Sequence, residues 1–196
     1  MFTGIIQTIG IIKKITENNE KILTFEIAPQ KKLSDLKIGS SIACDGVCLT
    51  VISLKKTSFT LNIVPETLKN TNLQNRKLND TINLEQAIKL SDRLEGHFVL
   101  GHSDGIGKIQ KITGEKNNRI ITIKFPKKIK RYLSAKGSIT INGVSLTIQN
   151  IAQDNLTVAL IPFTLSHTNL GFLQAGDTIN IEIDPISRYL ETLFHE

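Results

Sequence analysis

Cysteine is nearly absent from this chain. The only two among 196 residues, Cys44 and Cys48, stand four apart. That excludes a disulfide framework and fits a reducing, cytoplasmic setting. Long apolar runs are missing too, and none approaches the ~20 residues of a membrane span. The opening Met1-Phe2-Thr3-Gly4-Ile5-Ile6 has neither a basic stretch nor a cleavage pattern, so no secretory leader is expected. Four histidines and two cysteines show no metal-ligand spacing, and no metal is expected. There is no P-loop, no G-x-G-x-x-G after a strand and no G-x-S-x-G. The formal charge of +6 raises the question of nucleic acid. Its lysines are dispersed, however, and the densest cluster, Lys127-Lys128-Ile129-Lys130-Arg131, has no aromatic series beside it. It reads as a solvated face, and neither a nucleic-acid nor a membrane partner is expected.

What is present is a repeat. Gly46-Val47-Cys48-Leu49-Thr50 returns as Gly143-Val144-Ser145-Leu146-Thr147, 97 residues later. At the same offset Pro65-Glu66-Thr67-Leu68 meets Pro162-Phe163-Thr164-Leu165, and Asp80-Thr81-Ile82-Asn83 meets Asp177-Thr178-Ile179-Asn180. Over residues 41–85, 18 of 45 positions are identical without a gap, which establishes two copies of one domain. About a hundred residues suffice for a small independent core. We divide the chain into a first domain at 1–97, a second at 98–185 and a terminal segment at 186–196.

Short runs rich in Ile, Val, Thr and Leu dominate, such as Ile22 to Ile27, Ile120 to Phe125, Thr60 to Val64 and Thr157 to Ile161. These predict strands. Asp45-Gly46 and Asn142-Gly143 predict tight I′ hairpin turns just before each G-V-C/S-L-T run. About six strands per copy point to a small antiparallel barrel, which hides its edges by closure. Helices are predicted at Pro29 to Leu36 and Pro126 to Leu133, with short turns at Pro65 to Leu73 and Pro162 to Leu170. Asp184-Pro185 starts a last helix whose Ile186, Tyr189, Leu190, Leu193 and Phe194 form one apolar stripe, suited either to docking on its own barrel or to self-association.

The candidate chemistry lies where the copies differ. Cys48 faces Ser145, and each shares a strand side with a threonine, Thr50 or Thr147. Such hydroxyl patches suit a polyhydroxylated ligand. His97 and His102 are five apart; in a strand that odd spacing points them to opposite faces, so they are not expected to bind one metal. His102 follows Gly101, where backbone can approach a ligand, and its counterpart in the first copy is Ile5.

These residues resemble riboflavin synthase of the alpha type, built from two lumazine-binding repeats. The carriers are Met1-Phe2-Thr3-Gly4-Ile5, the G-V-C-L-T and G-V-S-L-T pair, P-x-T-L-x-x-T-N-L twice, G-H-x-x-x-G-H, and Asn180-Ile181-Glu182-Ile183-Asp184. The resemblance implies an all-β fold of two tandem six-stranded Greek-key barrels with short helices and a C-terminal helix. It implies dismutation of two 6,7-dimethyl-8-ribityllumazine molecules by four-carbon transfer, giving riboflavin and 5-amino-6-(ribitylamino)uracil. It implies that no cofactor is used. It further implies a homotrimer whose active site joins the first barrel of one subunit to the second barrel of a neighbour.

Carried over residue by residue, ligand contacts fall on Gly4, Ile5 and Ile6, on Cys48, Leu49 and Thr50, and on Asn62, Ile63, Val64, Pro65, Glu66 and Thr67. In the second copy they fall on Gly101, His102 and Ser103, on Lys136, on Ser145, Leu146 and Thr147, and on Ala159, Leu160, Ile161, Pro162, Phe163 and Thr164. Ser145 and Thr147, with His102 or water, are expected to handle the proton, and Cys48 to orient the other lumazine. Leu100, Ser103 and Asn70 depart from the family's commoner residues, outside the core motif. The alternative is a non-catalytic lumazine- or flavin-binding antenna protein built from the same repeats.

Overall fold

A computed structural model describes residues 1–115 and 118–194. The first copy contributes β1 (Thr8–Glu17), β2 (Leu23–Pro29), β3 (Ser41–Cys44), β4 (Val47–Leu54), β5 (Phe59–Ile63), α1 (Pro65–Asn70) and β6 (Thr81–Gln86). The second contributes β7 (Gly105–Glu115), β8 (Asn118–Lys124), β9 (Ser138–Ile141), β10 (Val144–Ala152), β11 (Asn155–Leu160), α2 (Pro162–His167) and β12 (Thr178–Ile183). Each set closes into a six-stranded antiparallel barrel, in the order β1-β2-β5-β4-β3-β6 and its repeat. Residues 195–196 of the expected terminal segment lie outside the described residues.

Alternation writes the barrels. In β5, Phe59, Leu61 and Ile63 point into the core while Thr60 and Asn62 face out. Even irregularities repeat. Bulges at Ile12/Lys14 and Ile109/Lys111, and at Val51/Ser53 and Ile148/Asn150, recur at the 97-residue offset and bend the strands toward closure. Both predicted two-residue hairpins are present. Asp45 and Gly46 have φ of 47° and 75°, Asn142 and Gly143 of 44° and 80°, as I′ turns require.

Those turns meet where the barrels join. Around them lies a buried polar network. Asn83 donates to the Asn142 carbonyl and to Asn169 Oδ1, Asn169 donates to Asp45, and Asn180 donates to the Asp45 carbonyl. Asp45 also pairs with Arg76. Burial pushes the Asp45 carboxyl up; the guanidinium and the Asn83 and Asn169 donors oppose it. Phe2 bridges Val99 between the barrels, and the His97 N–H donates to the Thr3 carbonyl.

The predicted helix at Pro29 to Leu36 is not formed; Pro29 ends β2 and the next residues make turns. Asp35 takes φ of 60°, left-handed and incompatible with a helix. The matching segment in the second copy is a 3₁₀ helix over Lys127–Tyr132, held down by buried Ile129, where the first copy has Lys32. The terminal helix forms as α3 (Pro185–Phe194), with the Ile186 N–H donating to Asp184 Oδ1.

Candidate active site

The loops and the strands exchange partners between copies. The Cys48 N–H at the start of β4 donates to the carbonyl of Gly101, 2.8 Å away, from the second copy. The Ser145 N–H of β10 donates to the carbonyl of Gly4, also 2.8 Å away, from the first. Gly4 and Gly101 have φ of 78° and 81°, and a Cβ on either would lie within 2.6 Å of the facing Ser145 or Cys48 Cβ. Both conformation and clearance demand glycine.

One buried carboxylate shapes each loop. Glu85 accepts from the Thr3 N–H and hydroxyl, both at 2.7 Å, and from the Gly4 N–H at 3.0 Å. Glu182 accepts from the N–H groups of Leu100, Gly101 and His102 at 2.7, 3.0 and 3.2 Å. Burial raises both carboxyls, that of Glu182 to about 7, while the N–H donors pull the other way. Glu182 stands in one of the motifs quoted above, but the sequence gives neither glutamate a role. Their signal is a carboxylate inside an otherwise buried strand, T-I-N-L-E and T-I-N-I-E, at the same offset.

Around Cys48 a cavity of about 200 Å³ is lined by Glu66, Thr67, Gly101, His102 and Ser103. The Ser103 hydroxyl donates to backbone carbonyls, among them that of Gly105 at 3.2 Å, so it fixes its loop. Around Ser145 the chemistry differs. Its Oγ lies 2.7 Å from His97 Nδ1, and His97 Nε2 lies 3.2 Å from the hydroxyl of buried Thr140. If Nε2 carries the proton and donates it to Thr140, Nδ1 is left to accept the serine proton. Burial holds the His97 imidazole below its ordinary value, with the Asp184 carboxylate opposing, so the ring is neutral near pH 7.

The expected partnership of Ser145 with His102 is therefore corrected. His102 sits beside Cys48, and the imidazole on Ser145 is that of His97. The G-H-x-x-x-G-H segment is not the strand that odd spacing presumes, since only Val99 bridges to Phe2. Likewise Gly4 joins the Ser145 side, and Ile6 packs against the second barrel's core. The first copy offers no equivalent relay. It has Cys48 for Ser145 and Ala43 for Thr140.

The remaining predicted residues sort by exposure. Thr50 and Thr147 face outward beside Cys48 and Ser145. Leu49, Ile63 and Leu160 are buried in the barrel cores, so they offer a ligand mainly their backbone, while Leu146 is half-buried and packs against the second core. Asn62 accepts from the Thr24 hydroxyl at 2.8 Å. Val64 and Ile161 are exposed, followed by Pro65 and Pro162, which open α1 and α2. Ala159 and Thr164 are half-buried, and Ile5 is exposed. Phe163 stacks on His167 with ring centroids 3.9 Å apart, whereas Glu66 in the first copy accepts from Asn70. Lys136 is exposed, and its N–H donates to the Ile148 carbonyl next to Thr147.

Comparison with known proteins agrees with this geometry. The lumazine binding domain matches residues 3–87 and again 100–184. Riboflavin synthase of Actinobacillus pleuropneumoniae is 42% identical over 97% of this chain and 88% of its own length. That of Bacillus subtilis is 38% identical over 100% and 91%. Crystal structures of LumP superpose with TM-scores of 0.84, with 6,7-dimethyl-8-(1'-D-ribityl) lumazine, and 0.86, with riboflavin. They are 28% and 30% identical, and cover 93% of this chain and 99% of theirs. Closed twin barrels with exchanged loops define a duplicated lumazine-binding-domain protein. Within that class, the chain belongs to the riboflavin synthase family.

Proposed function

We propose that this chain is a riboflavin synthase, converting two molecules of 6,7-dimethyl-8-ribityllumazine into riboflavin and 5-amino-6-(ribitylamino)uracil. The observation that carries this is the unequal pair of sites. The two lumazines start identical and end as donor and acceptor of four carbons, so the protein must treat them differently. A pocket walled by Cys48 and His102, and the equivalent place in the second copy with its Ser145–His97–Thr140 relay, give the protein a way to do so.

In this reading the ribityl chains lie against the exposed Thr50 and Thr147, and the ring edges meet strand-end backbone. Neutral His97 accepts the Ser145 proton as the serine oxygen takes one from the C7 methyl of its lumazine. The same proton returns when the leaving uracil is released. Ser145 and His97 are then the proton-handling pair, Thr147 a binding group, and Cys48 and His102 orient the other lumazine.

We further place the catalytic pairing between subunits of a homotrimer. Support comes from α3. Its polar groups face its own barrel, through Arg188 to Asp104 at 2.6 Å and Arg131 to Glu191 at 3.8 Å. Its Ile186, Tyr189, Leu190 and Leu193 are left exposed, the reverse of a helix serving as a lid. Residues 1–97 and 98–185 then act as binding units that lend each other a loop, and 186–196 as the association segment. A cytoplasmic location accords with two unpaired cysteines.

Incubating the pure protein with 6,7-dimethyl-8-ribityllumazine tests the function. One riboflavin should appear for every two lumazines consumed. Tight binding without riboflavin would make the chain an antenna-type binder instead.

A further inference from the structure

The two barrels differ at the end remote from Cys48 and Ser145, and the duplication supplies its own control. In the second barrel that end is filled. Phe125 and Ile129 are buried in its core, with Tyr132 packed alongside. The matching residues of the first barrel are Ala28, Lys32 and Asp35. Without those large apolar groups, and with Asp35 turning the chain at φ of 60°, residues 30–36 form no 3₁₀ helix, and only Leu33 and Leu36 pack, half-buried, against the core. An open-mouthed cavity of about 310 Å³ remains, between that segment and the β4–β5 hairpin. From Cys48 to Leu54 along β4 is about 20 Å at ~3.4 Å per residue, so this cavity is separate from the lumazine pocket.

Its floor is apolar, made by Leu33, Leu36, Leu54 and Phe59, and its rim carries Lys32, Lys55 and Lys56. Lys55 is paired with Glu26 at 2.7 Å. Among the described residues Lys32 and Lys56 have no carboxylate partner. Leaving the end open forgoes the burial that Phe125 and Ile129 give the second barrel. An apolar floor beneath two unpaired ammonium groups selects for one kind of occupant. We propose that this cavity is a second binding site, for a small amphiphilic carboxylate whose aliphatic tail covers the floor and whose anion meets Lys32 and Lys56.

Octanoate is the probe, titrated calorimetrically into the intact protein. One saturable site per chain is expected, with octanamide bound at least about tenfold more weakly because it lacks the charge. Lys32→Ile installs the second barrel's residue. It lies on the surface, so folding should survive; octanoate binding should fall about tenfold or more while riboflavin formation is unchanged. Lys56→Gln should weaken octanoate and leave octanamide alone. No saturable octanoate binding at millimolar concentration would overturn the proposal. So would Lys32→Ile binding octanoate like the natural chain, or octanamide binding as tightly as octanoate.

Discussion

Ser145 and Cys48 occupy equivalent places, and the side chains around them decide what each can do. Ser145 has an imidazole at 2.7 Å; Cys48 has a glycine carbonyl on its N–H and, among the described residues, no imidazole hydrogen-bonded to its Sγ, His102 only lining the same pocket. Ser145→Ala or His97→Gln should lower turnover on the order of 10²–10⁴-fold, and Cys48→Ala far less. Because His97 must be neutral and burial lowers its pKa, activity should be flat above about pH 6.5 and fall only below it. In Ser145→Ala that acid limb should vanish from the residual rate. Equal small losses at Cys48 and Ser145 would remove the division of labour.

Glu182 gives a stability test. Burial raises its carboxyl from the ordinary 4.5 to about 7, so between those values the folded chain binds more protons than the unfolded one. Stability should therefore fall as pH rises through that window and level off above it, by on the order of 1–3 kcal/mol. Glu85, raised in the same direction, contributes with the same sign. Denaturant unfolding at pH 5 and pH 8 should show a smaller difference for Glu182→Gln than for the natural chain. An unchanged difference would mean the carboxyl does not titrate there.

Residue-level sequence reading singled out Cys48, Ser145 and both threonines because the repeat lines them up. It set Ser145 with His102 or water, on the family resemblance rather than on a contact. The exchange of loops between barrels leaves no mark in a sequence, being fixed by three-dimensional contacts such as Gly4 with Ser145.

At the scale of elements, β-branched runs and the Asp45-Gly46 and Asn142-Gly143 turns predicted strands and hairpins that the structure contains. Local chemistry there agrees with the fold. The segment after Pro29 failed for the opposite reason. Its proline and length match the second copy, but Lys32 offers nothing to bury where Ile129 is inserted, and tertiary burial decides short helices. α3 was legible from Asp184-Pro185 and its stripe. Whether its apolar face turns to its own barrel or to a second copy is open in the sequence, because that depends on the Arg188–Asp104 contact. Burying four such side chains contributes several kcal/mol per helix, at about 1.5–3 kcal/mol for each fully buried group before entropy. Ending the chain at Asp184 should give a smaller species in sedimentation, with lumazine binding kept and riboflavin formation lost. A truncated protein of unchanged mass would reduce α3 to a local cover.

At the scale of the molecule, the barrels are not independent beads. Each lends the other a loop, Asn83, Asn169 and Asn180 lock the seam, and Phe2 bridges Val99. Among the described residues no helix is long and apolar enough to cross a membrane, and no group of three or more His, Cys, Asp or Glu is placed to hold a metal. The account's central claim is that one lumazine from each kind of barrel must meet, and that they meet across subunits. Mixed assemblies test it directly. A chain with its first pocket filled by Cys48→Arg and a chain carrying Ser145→Ala should each make almost no riboflavin alone. Co-expressed, they should form mixed trimers in which an intact second pocket faces an intact first pocket, and riboflavin formation should return. Mixed trimers that form but stay as inactive as either parent would contradict the account.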